Sequence, residues 1–109
     1  MHKIITSIIA ALALVMPASA QQTKPVDKFA VFEHCDNIGV WAKRYLGMRS
    51  AGMTEQRALE IAGPDPAHKA IARDAYTVAP RSILPEQFAR KWVDRCTADP
   101  EAFGFEPKP

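Results

Sequence analysis

Residues 27 to 50 read DKFAVFEHCDNIGVWAKRYLGMRS, a run with no proline and no cluster of turn-forming residues. At about 100° per residue, Val31, Cys35, Ile38, Ala42, Tyr45 and Leu46 recur on one face, while Lys28, Lys43 and Arg44 lie away from its centre. This pattern predicts one long amphipathic helix. Gly39 lies beside the apolar face, and its cost of about 1 kcal/mol relative to Ala is offset if a second helix crosses closely there. Gly52 stands where a left-handed C-terminal cap belongs.

Downstream, Thr54 offers a capping oxygen, Glu55 favours the positive end of a helix and Gly63-Pro64 stops it, which predicts a short helix over 54 to 62. Its apolar side is Ala58, Leu59, Ile61 and Ala62. Asp65-Pro66 pairs a capping carboxylate with proline at the first helical position, opening a helix that ends near Val78, before Pro80, with Ala67, Ile71, Ala75 and Val78 inward. Pro85 fits a first helical turn, and Phe88, Trp92 and Cys96 then recur every four residues through about Thr97. Asp99-Pro100 and the following EAFGFEPKP mix aromatics with breakers, so residues 99 to 109 read as a loosely held tail with Phe103 or Phe105 tucked back. Period-2 alternation and internal repeats are absent. The expected fold is all-α: one small domain over 21 to 98 with one long and three short helices, joined by connections that favour antiparallel neighbours.

Upstream, residues 1 to 20 read MHKIITSIIAALALVMPASA: a basic start at Lys3, an apolar run from Ile4 to Met16, the breaker Pro17, then Ala18-Ser19-Ala20. The run is shorter than the roughly 20 residues a bilayer-spanning helix needs, and the small residues suit signal peptidase, so the reading is a secretory leader cleaved between Ala20 and Gln21. Removing 20 of 109 residues, with Lys3 the sole charge among them, leaves 89 residues and lowers the net charge from +2 to +1. Bases and acids are spread along the chain, which argues against nucleic-acid binding and a polybasic membrane contact. The expected product is a periplasmic or secreted monomer with no membrane span.

Cys35 lies on the inner stripe of the first helix and Cys96 on that of the last. In an oxidising compartment such a pair reads as a disulfide, with two buried thiols or an intermolecular link as the alternatives.

Residues that carry chemistry do not converge in this pattern. His34, Cys35 and Asp36 are sequence neighbours that project about 100° apart on a helix, His68 lies far along the chain, and no His-x3-His or Cys-x2-Cys spacing occurs. A disulfide also removes the thiolate a nucleophilic Cys-His pair requires. Glu33, Asp36, Glu55, Glu60 and Asp74 read as solvated faces or helix-end charges rather than an acid-base pair. The five glycines are isolated, which excludes a phosphate loop. No cofactor, metal site or catalytic residue is expected.

The combination of Cys35, the helix end Arg49-Ser50-Ala51-Gly52, Ala75-Tyr76 followed by Pro80, and Phe88 ahead of Cys96 covers about residues 35 to 96. It resembles a group of small exported helical two-cysteine proteins of proteobacteria and their prophages, of unknown function, from which Trp41 and Trp92 are departures. The resemblance implies export, a disulfide and a helical fold, and adds no activity.

Three function classes follow. The first is a non-enzymatic interaction protein that binds another envelope protein through a helix surface. A small periplasmic stress chaperone exposing apolar surface on acidification is the alternative, and an enzyme of unknown type the third. The candidate contact surface is a second stripe on the long helix, His34, Trp41, Tyr45 and Met48, flanking the core face by about 40° to 100°. Either the short helix 54 to 62 folds back over it, or it forms a recognition ridge of the large side chains that concentrate binding energy.

Overall fold

The computed structural model describes residues 27 to 107. Its first helix, α1, runs over Lys28–Ser50 and begins where expected: the Asp27 carboxylate accepts from Phe29 N–H at 3.0 Å and Ala30 N–H at 3.2 Å. These bonds satisfy donors that a helix start leaves open. At the far end Gly52 adopts φ +88°, a left-handed conformation that glycine takes without a β-carbon penalty.

Helix α2 covers Glu55–Ala62, with Thr54 Oγ1 accepting from Arg57 N–H at 3.1 Å. Helix α3 covers Pro66–Arg73, with the Asp65 carboxylate accepting from Ala67 and His68 N–H. Helix α4 covers Pro85–Ala98, and Gln87 Oε1 accepts from Leu84 N–H at its start. The described residues contain four α-helices and no strand.

The helix expected to run from 66 to 78 keeps its length but changes form. Beyond Arg73 it widens into a π-helical turn over Asp74–Val78. Ala79 N–H donates to Asp74 O at 2.8 Å, five residues back, so the Ala75 carbonyl, its α-helical partner, is released. Arg49 takes up the released carbonyl, its Nη1 donating to Ala75 O at 2.9 Å and to Ala79 O at 3.1 Å. The wider turn also rotates Val78 away from the core. It is 68% exposed, against the inward position expected for it.

The core lies chiefly between α1 and α4, which run antiparallel, with α2, α3 and the π turn packed onto them. The α1 stripe is buried as expected, from Val31 through Cys35, Ile38, Ala42, Tyr45 and Leu46, and so are Phe88, Trp92 and Cys96 of α4. Cys35 and Cys96 are disulfide-bonded, Cα to Cα 5.5 Å, which joins the N-terminal half of α1 to the end of α4. Closing a loop between residues 61 apart contributes about 4 kcal/mol in the chain-entropy model.

The loose tail expected over 99 to 109 is packed through Phe105. Pro100–Phe103 forms a 3-10 turn, closed by Gly104 at φ +84°. The Phe103 ring meets the Trp92 ring edge to face at 6.0 Å, and the Phe105 ring meets His34 in the same manner at 5.5 Å. Edge-to-face pairs hold such a segment by roughly 0.5–1.5 kcal/mol each beyond their buried area.

Candidate interaction surface

The second stripe of α1 is covered by its own chain, though not by the element expected. Helix α3, not α2, lies over its middle. The Tyr45 hydroxyl is hydrogen-bonded to His68 Nδ1 at 2.9 Å, and the Trp41 ring meets the His68 ring edge to face at 5.2 Å. Arg44 lies over the Trp41 ring, 4.8 Å from its centre. At the N-terminal end the 3-10 segment does the covering: His34 Nε2–H donates to Phe103 O at 2.7 Å. Met48 is half-buried against the core.

A recognition ridge of His34, Trp41, Tyr45 and Met48 therefore does not form. Tyr45 is 0% exposed, and the other three are half-buried. Burial, with the Asp65 carboxylate as the smaller cause, raises the Tyr45 phenol above its ordinary range, so it acts as a neutral hydrogen-bonding group. His34 and His68 are engaged at separate places and Cys35 is in the disulfide. Among the described residues no three His, Cys, Asp or Glu side chains come together as metal ligands.

Asp74 also departs from its expected place. Expected on a solvated face, it is buried at 6% exposure. Its Oδ2 accepts from Trp92 Nε1–H at 2.8 Å and pairs with Lys91 Nζ at 2.7 Å, while the buried Oδ1 receives no protein donor. Asp74 follows buried Ile71 by three residues, so the α-helical register of α3 already carries this carboxylate to the inner side, where it meets α4. The cleft outside it is rimmed by Arg73, Lys91 and Arg95, with Arg95 stacked over the Trp92 ring. The carboxylate is thus committed to α4 and joins two helices.

Of the large apolar side chains left exposed, Val78 and Leu84 among them, two adjoin each other at the opposite edge of α1. Phe29 is 68% exposed and Phe32 63%, one turn apart and therefore neighbours on the helix. They form a ridge between two open clefts. One, of about 350 Å³, has Phe29, Ala30, Phe105 and Pro107 among its walls. The other, of about 460 Å³, is lined by Val31, Phe32, Thr97 and Pro100, with Lys28 at its rim. Fully burying one phenylalanine is worth roughly 1.5–3 kcal/mol, so two side by side in water are a cost to the free protein that a partner would remove. The signal for them was present in the sequence as two phenylalanines off the apolar stripe. Their company was not, because Phe105 and Pro107 arrive only when the 3-10 segment folds back.

None of the described helices is long and apolar enough to cross a membrane. Comparisons of the chain with protein-family models, curated proteins and solved structures found no match.

Proposed function

We propose that this chain is a non-enzymatic interaction protein of the periplasm or the secreted space, binding another envelope protein through the N-terminal end of α1. The observation that carries the reading is the Phe29–Phe32 ridge, flanked on both sides by clefts with apolar walls. It stands on well-braced ground. The disulfide ties Cys35 of α1 to α4 about one turn away, and the Phe103 and Phe105 rings pack the C-terminal segment against α4 and α1. Such preorganisation lowers the ordering cost of association. The leader-like residues 1 to 20 and the disulfide support an extracytoplasmic address.

A photo-crosslinking phenylalanine derivative at position 32, installed in the protein as its host exports it, tests this reading. One discrete envelope protein should be captured, and capture should vanish on adding Phe29→Gln. Capture of many unrelated proteins, increasing on acidification, would transfer the assignment to the stress chaperone. Intact mass of the same material should correspond to a chain beginning at Gln21; a membrane-held chain that keeps residues 1 to 20 would contradict the address.

A further inference from the structure

The chain as a whole carries 14 basic and 12 acidic residues. The end that bears Phe29 and Phe32 inverts this balance. Asp27, Glu33 and Glu106 line the cleft beside Phe29, and Asp99 and Glu101 line the adjoining hollow under Phe105 and Pro107. All five carboxylates are exposed. Lys28 is the basic residue that lines the neighbouring clefts. Adding Lys24 and Lys108, which lie nearby in sequence, would still leave five acids against three bases.

An apolar ridge inside an acidic rim favours a particular class of occupant. The apolar centre supplies most of the affinity, whereas the rim charges set the rate of encounter and reject mismatched partners. Anionic surfaces, acidic lipid headgroups included, are repelled by such a rim. We infer that the N-terminal end of α1 docks a segment of a partner protein in which apolar anchors are flanked by lysine or arginine. This rests on the interaction reading above and specifies the chemistry of the partner at that same surface. Phe29 and Phe32 enter between the partner's apolar side chains, and Glu33 and Glu106 on the Phe29 side face its cations.

The test uses the oxidised protein starting at Gln21 and a fluorescein-labelled synthetic helix of roughly 15 residues, leucine on one face and lysine on the other, with a leucine–glutamate version as control. Anisotropy titrations should show the lysine peptide binding at least roughly tenfold tighter than the glutamate peptide, the difference shrinking as salt rises. Glu33→Lys with Glu106→Lys should cost about tenfold or more, and so should Phe29→Gln with Phe32→Gln, whereas Glu86→Lys at the far end of α4 should change nothing. All of these positions are exposed, and far-ultraviolet circular dichroism should confirm that the variants stay helical.

Equal binding of both peptides, or indifference to charge reversal while the phenylalanines still matter, overturns the basic partner and leaves the docking surface standing. Indifference to Phe29→Gln with Phe32→Gln, or no binding of the lysine peptide, overturns the inference. If phenylalanine-dependent self-association or binding to phosphatidylcholine vesicles appears in its place, a second copy or a lipid surface replaces the basic segment.

Discussion

A β-carbon placed on Gly39 of α1 would lie 2.7 Å from Cγ2 of Val93 on α4, with the Ala89 β-carbon 3.7 Å away. The two helices cross where one has no side chain, and this permits the close approach that brings Cys35 to Cys96. Gly39→Ala gains about 1 kcal/mol of helix propensity but forces a stiff β-branched neighbour to move, which costs roughly 1–3 kcal/mol. The variant should be destabilised or neutral in urea unfolding, and Gly39→Ala in a Val93→Ala background should be more stable than Val93→Ala alone. A stabilising Gly39→Ala in the native background would contradict the crossing.

Removing the disulfide releases the constraint on the unfolded chain. Cys35→Ala with Cys96→Ala should lower stability by up to about 4 kcal/mol and the melting temperature by roughly ten degrees or more, given how small the domain is. Mass analysis without reductant should find the native protein two hydrogens lighter than its reduced form and monomeric. Free reaction of the native protein with an alkylating reagent would contradict the bond.

The features legible in the sequence are those that depend on near neighbours. Thr54 and Asp65 cap the helices that their positions announce, and the apolar stripes of α1 and α4 are buried as their period requires. What escaped depends on distant partners. The π turn is held by Arg49, 26 residues before Ala75; Asp74 is buried because Trp92, 18 residues on, supplies a donor; and the C-terminal segment docks because His34 reaches Phe103 across 69 residues. A helical period drawn through 66 to 78 contains none of this. The period puts Val78 inside, which the π turn reverses; Asp74 lies on the inner side of that same period, three residues after Ile71, and its charge alone suggested a solvated place.

Asp74 makes its own prediction. Asp74→Ala leaves the Trp92 indole N–H and the Lys91 ammonium without their shared acceptor. Breaking a buried pair on one side costs about 3–5 kcal/mol; Lys91 is about one-third exposed, so roughly 2–3 kcal/mol is expected here. Asp74→Asn, which keeps an acceptor for Trp92, should recover part of the loss. Chemical denaturation of the three proteins decides it, and an Asp74→Ala variant as stable as the parent would show that the carboxylate does not tie the π turn to α4.

The chain has two tyrosines, and the fold raises the pKa of both. For Tyr45 burial dominates and Asp65 adds to it; for Tyr76, whose hydroxyl donates to Met53 O at 2.8 Å, burial dominates, Arg49 opposes it and Glu55 adds to it. The ordinary value is 10.0, so above it the unfolded chain loses phenolic protons that the folded chain retains. Stability from these groups is therefore full below pH 10 and falls as pH rises through the folded-state values. Tyrosinate absorbance should appear at higher pH in the native protein than in urea, and Tyr45→Phe should remove one of the delayed components. It should also cost about 1 kcal/mol near neutrality through the lost bond to His68. A native titration that coincides with the unfolded one would mean that Tyr45 is solvated and that α3 does not lie over the middle of α1.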